Sequence, residues 1–508
     1  MELMKFDIPK EVRAIAGLLE QRGFSAYLVG GCVRDLLRRA IYSELVEPKD
    51  WDVATDAPPA KVQELFPESV YENEFGTVGV KTDSADPALK VVEVTTFRLE
   101  GGYTDKRHPD EVVFARTIED DLSRRDFTMN AIALRLGSGQ ALRIGSGEAV
   151  GDTDELVDPY GGAKDIKQKT IRTVGDPKAR FGEDALRLMR AVRFAAELGF
   201  EIEMNTRRAI EQEAGLLEVI AKERIRDEFA KMLMAPDATR GVILLEELDL
   251  LRYVLPELRD GLGVGQNKHH IYTVFEHNVR ALEYAAKQGY SLEVRLASLL
   301  HDVGKPKTKH GDGPDSTFYG HDRVGAKLAA RALERLHFSR DTIERVAHLI
   351  RFHMFYYNVG EVSPAGVRRF IARVGPETID DLMKVREADR IGSGVPKAVP
   401  YKMRHLQFMI EKVKSDPVSP KMLKVNGEDV MRIAGIAPGP KVGQIIAVLL
   451  EEVLDEPERN DRDALETRVR ELAALPDAEL AAMRRKAEER KDEFEEGQEA
   501  EMKKRYWV

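Results

Sequence analysis

A single cysteine, Cys32, in a chain of 508 residues excludes internal disulfides and any zinc cluster built on several thiolates. No apolar run reaches the roughly 18 residues that a membrane-spanning helix needs. The N-terminal Met-Glu-Leu-Met-Lys-Phe-Asp also lacks the basic-then-apolar order of a secretory signal. Together these absences set a cytoplasmic location, with no membrane partner, as the expectation. A positive excess is missing too. The formal net charge of −10 argues against a simple nucleic-acid binder, so any RNA contact requires basic residues gathered on one surface. Arg187, Arg190, Arg193, Arg207, Arg208, Lys222, Arg224, Arg226 and Lys231 are the residues available for that. What the chain does have, 43% apolar and 33% charged residues, is the composition of an ordinary globular protein long enough for several cores.

The pattern along the chain predicts an α+β fold. In residues 1–155, short β-like runs at Ala26–Val29, Trp51–Ala54, Thr77–Lys81, Val91–Phe97 and Ala131–Leu136 read as strands of one sheet, punctuated by Gly, Pro and Asp. From Phe181 onward the spacing turns helical, with Leu186, Met189, Val192, Phe194 and Ala195 on the apolar side. Residues 156–260 therefore form a helical block. A second one, 261–413, carries nine of the eleven histidines through His353, and Lys414–Pro420 reads as a linker into a C-terminal module, 414–508. The last 35 residues, rich in Ala, Glu, Lys and Arg, predict a solvated helix or frayed tail.

Two carboxylates one residue apart, Asp50 and Asp52, follow a Gly30-Gly31 turn by about twenty residues. In an extended segment residues i and i+2 share a face, so both can grip hard cations such as Mg²⁺, which takes one or two carboxylates plus substrate phosphates. The glycines let backbone N–H groups approach a triphosphate, and Arg34 can neutralise it. Glu93, on an apolar strand, can complete the set. Taken alone, an Asp-x-Asp reads first as a surface turn; the Gly-Gly-x-x-Arg-Asp ahead of it turns the reading toward a metal site. Arg124-Arg125-Asp126-Phe127-Thr128 reads as a phosphate or ribose contact at a helix start, or as a plain N-cap. Asp184 and Arg187 stand i, i+3 on a predicted helix. A carboxylate accepting from an exocyclic amine, beside a guanidinium donating to a ring nitrogen, would select cytosine and adenine. The alternative is an intrahelical ion pair worth about 0.3–0.5 kcal/mol.

The blocks LVGGCVRD, KDWDVATD, EVTTFR, RRDFTMNAIA, DPYGG, RFGEDALRLMRAVRF and ERIRDEF occur in this order over residues 25–260. In this the chain resembles the class II CCA-adding tRNA nucleotidyltransferases and their poly(A) polymerase relatives. The resemblance implies a polymerase-beta-like nucleotidyltransferase head, a small mixed sheet with helices, followed by an all-α neck and body. It implies tRNA, CTP and ATP as partners and Mg²⁺ as cofactor. It gives metal binding and catalysis to Asp50 and Asp52, with Glu93 resting on strand context alone. Triphosphate contacts fall to Gly30, Gly31 and Arg34, and nucleotide contacts to Arg125, Arg190 and Arg193. Asp184 and Arg187 become the template for base choice. The Leu99–Pro109 stretch, polar and with two glycines, reads as a mobile loop, which in this family accompanies the switch from C to A addition.

Residues 265–395 carry His277, the adjacent His301-Asp302, and later His321, His353 and Asp389, a donor set suited to one or two divalent transition metal ions. This stretch resembles the HD phosphohydrolases, in which His277, His301, Asp302 and Asp389 would be core ligands and His321 and His353 the extra ligands of two-metal members. Lys305 could meet a substrate phosphate, and metal-dependent phosphatase or phosphodiesterase activity is implied. His269, His270, His310, His337, His348 and His405 are assigned no role. Gly435, Gly439 and Gly443 precede an apolar helix, as a phosphate-holding turn or a simple helix–helix turn; resemblance to the C-terminal region of HD-bearing relatives favours tRNA contact. Other readings are an enzyme restricted to CC, A or poly(A) addition, an HD phosphohydrolase whose head only binds RNA, and a noncatalytic RNA-interaction protein.

Overall fold

The computed structural model describes residues 6–44, 46–71, 76–101, 111–137, 141–142, 150–151, 154–267, 271–355, 357–360, 362–395 and 397–487. The chain folds into two compact units, residues 1–259 with 335–337, and residues 260–334 with 338–508.

The first unit is built on a seven-stranded mixed sheet. Its strands lie in the order Glu155–Val157, Ala133–Arg135, Ala26–Val29, Asp52–Thr55, Val91–Thr96, Thr77–Lys81 and Ser69–Tyr71. All five expected strands lie in it, and the two edge strands are additions. The neighbours named are antiparallel except one central pair: Asp52–Thr55 runs parallel to Val91–Thr96, with Asp52 opposite Glu93. Leu28, Val53, Val92 and Val94 are wholly buried, so the centre of the sheet is dry. Apolar burial of this kind stabilises by about 25 cal/mol per Å². The strand after the first acidic residue begins at Asp52 rather than Trp51, which leaves Asp50 in the bend that precedes it.

Gly30 follows strand Ala26–Val29 with φ 76°, a conformation that a Cβ would strain, and caps helix Gly31–Tyr42. Beyond the sheet the first unit is mostly helical. Helix Leu186–Leu198 buries Leu186, Met189, Val192, Phe194 and Ala195, as its spacing predicts. The Leu99–Pro109 stretch starts inside a strand, Arg98–Gly101, which pairs antiparallel with Glu111–Phe114; residues 102–110 lie outside the described residues.

The second unit is helical. Helix Val274–Lys287, closed by a Thr273/Glu276 capping box, packs on Leu292–Leu300 and on Ile379–Gly392. The 414–420 segment is anchored: buried Arg368 on helix Pro364–Val374 donates to Asp416, to Leu454 O and to Asp455 O. Helix Pro440–Asp455 thereby ends on that arginine. Residues 477–487 of the expected tail helix are helical with Leu480 buried, and 488–508 lie outside the described residues. No helix among the described residues is long and apolar enough to cross a membrane.

Candidate functional sites

In the first unit, strand pairing sets Val29, Asp52 and Glu93 side by side on three neighbouring strands. Asp52 is half-buried, whereas Asp50 and Glu93 are exposed. Burial pushes the Asp52 carboxyl up, Arg125 opposes the shift, and the nearby Asp50 charge adds to it. A carboxylate crowded by a second one makes a place where a divalent cation relieves repulsion. Space for a ligand depends on Gly30, since a Cβ there would stand 3.1 Å from Arg125 Nη1 and 3.4 Å from Asp52 Oδ2. Arg125 is held by Asp121 at 3.0 Å, and the same carboxylate takes Arg124 at 2.6 Å. Arg34 is turned onto Asp35 through Nε and Nη2 and onto Asn130 Oδ1 through Nη1, so in this state its fork is spoken for.

Asp126 and Thr128 do not start an α-helix; Thr128–Asn130 is a single 3₁₀ turn. Asp126 instead accepts from Phe127 N and Asn130 Nδ2 and pairs with Arg190 at 2.6 Å. Burial would raise its carboxyl, but the Arg190 charge and the hydrogen bonds from Asn130 and Arg190 outweigh that and lower it to about 2.

Asp184 and Arg187 are not one turn apart on a continuous helix. Helix Pro177–Glu183 ends at Asp184, which is extended (φ −133°, ψ 104°), and the next helix begins at Leu186. The Asp184 side chain accepts from Leu186 N two residues on, a local bond that competes with helix continuation. Its main partner is Arg224, at 2.9 Å and 3.2 Å, while Arg187 pairs with Glu183 at 2.6 Å. The predicted intrahelical Asp184–Arg187 pair is therefore replaced by two separate ones. Arg187 and Arg193 are buried, and Arg193 is locked on Glu228 at 2.6 Å and Glu197 at 2.8 Å, which removes both from the expected RNA-facing surface. Arg224 and Glu228 both lie in the ERIRDEF block. In the sequence that block has no base-site part; its order after the other blocks and its arginines, as candidates for RNA contact, are what mark it.

In the second unit the six metal-type ligands converge. His277, His301 and Asp389 form one group and His301, Asp302 and His353 another, each with ligand atoms within 4.8 Å of one another. His277 Nε2 lies 2.8 Å from His301 Nε2, 3.1 Å from Asp302 Oδ2 and 3.3 Å from Asp389 Oδ1. His301, His321 and His353 each turn Nδ1 to the carbonyl three residues earlier, of Ser298, Phe318 and Ile350. That bond leaves Nε2 as the atom aimed inward, the arrangement found behind metal-bound imidazoles. His321 Nε2 and Asp302 Oδ1 are buried, have no hydrogen-bond partner and face each other at 3.3 Å. Two lone-pair atoms at that distance fit a cation.

The electrostatics agree. Burial pushes Asp302 up, yet Lys305 and His301 hold it well below the ordinary carboxylate range; Asp389 is likewise held down, by Arg386 and the histidines. Burial would depress His301, but Asp302 and Asp389 raise it to about 10, while burial and the other histidines push His353 well down. The cluster thus draws positive charge to its centre. Lys305 is buried, its ammonium 2.6 Å from Asp302 Oδ2 and donating to Gln266 Oε1 at 2.6 Å. Of the histidines assigned no role, His348 Nε2 meets Val374 O at 2.6 Å and His405 Nδ1 meets the Tyr357 hydroxyl at 2.5 Å, whereas His269 and His270 lie outside the described residues.

Three family models match the chain: the poly A polymerase head domain over residues 26–172, a probable RNA and SrmB-binding site of polymerase A over 199–262, and the HD domain over 274–393. The A-adding tRNA nucleotidyltransferase of Deinococcus radiodurans is 36% identical over 84% of this chain and 91% of its own length. The CCA-adding enzyme of Lactiplantibacillus plantarum is 31% identical over 90% of this chain and 96% of its own. Among solved structures, the Bacillus stearothermophilus CCA-adding enzyme in complex with CTP superposes with a TM-score of 0.65 at 29% identity, covering 91% of this chain and 98% of that one. With a carboxylate site on a matching head and near full-length likeness to enzymes of one kind, the chain belongs to the tRNA nucleotidyltransferase family with a poly(A) polymerase-type head, in its HD-domain-bearing form.

Proposed function

We propose that this protein adds C and A to the 3′ end of tRNA from CTP and ATP, completing CCA, in the cytoplasm. The observation that carries the reading is the Asp52–Glu93 pairing beside Gly30 at the heart of a head that matches the family model. Asp50 and Asp52, with Glu93 beside them, would hold Mg²⁺. Mg²⁺ bound there would supply positive charge to the 3′-hydroxyl nucleophile and the departing pyrophosphate. The chain's own residues orient the reactants: backbone N–H groups at Gly30 and Gly31 face the triphosphate, with Arg34 and Arg125 beside them. Arg190 and Arg193 contact the nucleotide, and their ion pairs with Asp126 and Glu228 orient them. Asp184 and Arg187 read the base edge, and Arg224 fixes the Asp184 carboxylate in place.

The work divides along the chain into head (1–155), neck and body (156–260), HD domain (261–413) and C-terminal module (414–508), the last contacting tRNA. In the HD domain His277, His301, Asp302, His321, His353 and Asp389 would hold divalent transition metal for hydrolysis of a phosphate ester. The likeness to the Deinococcus radiodurans A-adding enzyme over most of both chains favours a second reading, addition of the terminal A alone. One experiment separates the two. Purified chain is given tRNAs ending before CCA, after C and after CC, with CTP or ATP singly or together. CCA addition extends all three to full length, A addition extends only the last, and no extension of any of them overturns both readings.

A further inference from the structure

We propose that two glycine contacts, Gly392 on one side and Gly304 with Gly325 on the other, separately position the two halves of the HD ligand set. The inference rests on the metal-binding reading of that cluster. Gly392 lies three residues after Asp389 on helix Ile379–Gly392, and Gly304 three residues after His301. Each presses on the backbone of a helix that carries another ligand. A Cβ at Gly392 would stand 2.8 Å from His277 O, 3.2 Å from Ala281 N and 3.1 Å from His277 Nδ1. A Cβ at Gly304 would stand 2.1 Å from His321 O and 2.6 Å from Gly325 N. In both places the atoms met are the i carbonyl and i+4 amide of one helical turn, and residue i is a ligand histidine.

Real Cβ atoms do not come within 3.0 Å of such atoms, and backbone cannot swing aside as a flexible side chain can. An added methyl at either place must therefore move a helix, and with it one histidine. Gly392 brings His277 to Asp389, 3.3 Å apart; Gly304 brings His321 to Asp302, also 3.3 Å apart. Gly325 completes the second contact from the opposite side, its own Cβ position lying 3.3 Å from Gly304 N and from His301 O. His301 belongs to both ligand groups, and Asp302 reaches His277 with one oxygen and His321 with the other, so the two halves meet at these two residues and are otherwise set by different helix contacts. These glycines are positioning residues and touch no substrate.

The test is equilibrium dialysis of the full chain, stripped of metal by chelator, against Mn²⁺ alone, counting ions bound per chain. The unsubstituted protein is expected to bind two. Gly392→Ala should weaken one of them roughly tenfold or more, the scale of losing a residue that orients a ligand. Combined with His277→Ala it should add nothing; combined with His321→Ala it should weaken both ions. Gly304→Ala should behave in mirror image. Nucleotide incorporation into tRNA should be unchanged in all the glycine variants. If Gly304→Ala does not melt cooperatively, Gly325→Ala, with its looser contacts, carries the second half: the His321 ion weakens and the other does not. Loss of both ions together from one glycine variant, or wild-type affinity for both, overturns the inference. Failure of the unsubstituted chain to bind any Mn²⁺ overturns the metal reading itself, a different result.

Discussion

The two acidic centres of this chain are built on opposite plans. In the head, the carboxylates Asp50, Asp52 and Glu93 sit on, or just before, two central strands of a dry sheet, two of them exposed, with no histidine among them. In the second unit, four histidines and two aspartates are all buried, and they meet from five helical segments. An open all-oxygen site suits a hard ion that arrives with a nucleotide and keeps water in its shell. A closed nitrogen-rich site suits an ion that stays with the protein. Burial also decides what each centre costs when empty: Asp52 can take up a proton, as its raised carboxyl shows, whereas Asp302 and Asp389 are held charged and need a cation beside them.

The largest effect that separates the two plans is on chemistry. Asp50→Ala with Asp52→Ala should lower CTP and ATP incorporation by roughly 10²–10³-fold or more, the scale of removing a group that acts in the transition state. Mn²⁺ binding by the second unit should be untouched. Parallel loss of both, read in a gel extension assay and by dialysis, would mean that the centres are not independent.

The next effect is on stability, and it should appear in only one unit. Chelation, or His301→Ala, should lower the melting temperature of the second unit, because an ion that binds the native state alone stabilises it by mass action, about 2.7 kcal/mol at a hundredfold excess over Kd. The first unit's transition should not move when Mg²⁺ is withdrawn without nucleotide. Differential scanning calorimetry resolves this, and a shift of the first transition on chelation would contradict the picture of an ion that comes with substrate.

Much of this contrast is legible in the sequence, and what is not legible has a common cause. The sheet strands appear as short β-branched runs between Gly, Pro and Asp, a local signal, and the HD ligands by residue type and order, since His and Asp carry their metal chemistry wherever they stand. Edge strands Ser69–Tyr71 and Glu155–Val157 carry three residues each, too few for an alternation to register. The break at Asp184 follows from a side chain bonding its own backbone two residues on, inside a segment whose apolar spacing runs through as if helical. The partners that decide the arginines are far off in sequence: Arg224 for Asp184 at 40 residues, Glu228 for Arg193 at 35, Asp126 for Arg190 at 64. Periodicity cannot show such pairs. The glycine contacts around His277 and His321 are hidden for the same reason, since close approach is a property of two helices.

Those long-range pairs make the head sensitive to acid in a way that can be measured. Asp126 titrates at about 2 in the folded protein, against roughly 4 when unfolded, so its pairing stabilises above pH 4 and is lost as pH falls from there toward 2. The full contribution is about 2–3 kcal/mol. Asp126→Asn should therefore destabilise the first unit by about that much at pH 6 in urea denaturation. The gap to the unsubstituted chain should narrow as pH drops below 4, while the second unit is unaffected. A gap that is constant with pH would mean the pair contributes through packing and not charge.

The smallest expected effect bears on base choice. Because Asp184 is held by Arg224 and not by Arg187, the carboxylate can stay in place when Arg187 varies but not when Arg224 does. Asp184→Ala should erode discrimination against UTP and GTP by about 1–3 kcal/mol, the worth of a well-placed base contact. Arg224→Ala should do part of the same by letting the carboxylate swing, with KM for CTP and ATP rising and Mn²⁺ binding in the second unit unaltered. Single-nucleotide incorporation with each triphosphate measures this. If Arg224→Ala leaves nucleotide choice intact while Asp184→Ala relaxes it, the kink alone fixes the carboxylate. If neither changes it, base selection lies outside these three residues, and the head would differ from the HD centre in chemistry but not in having a reader of its own.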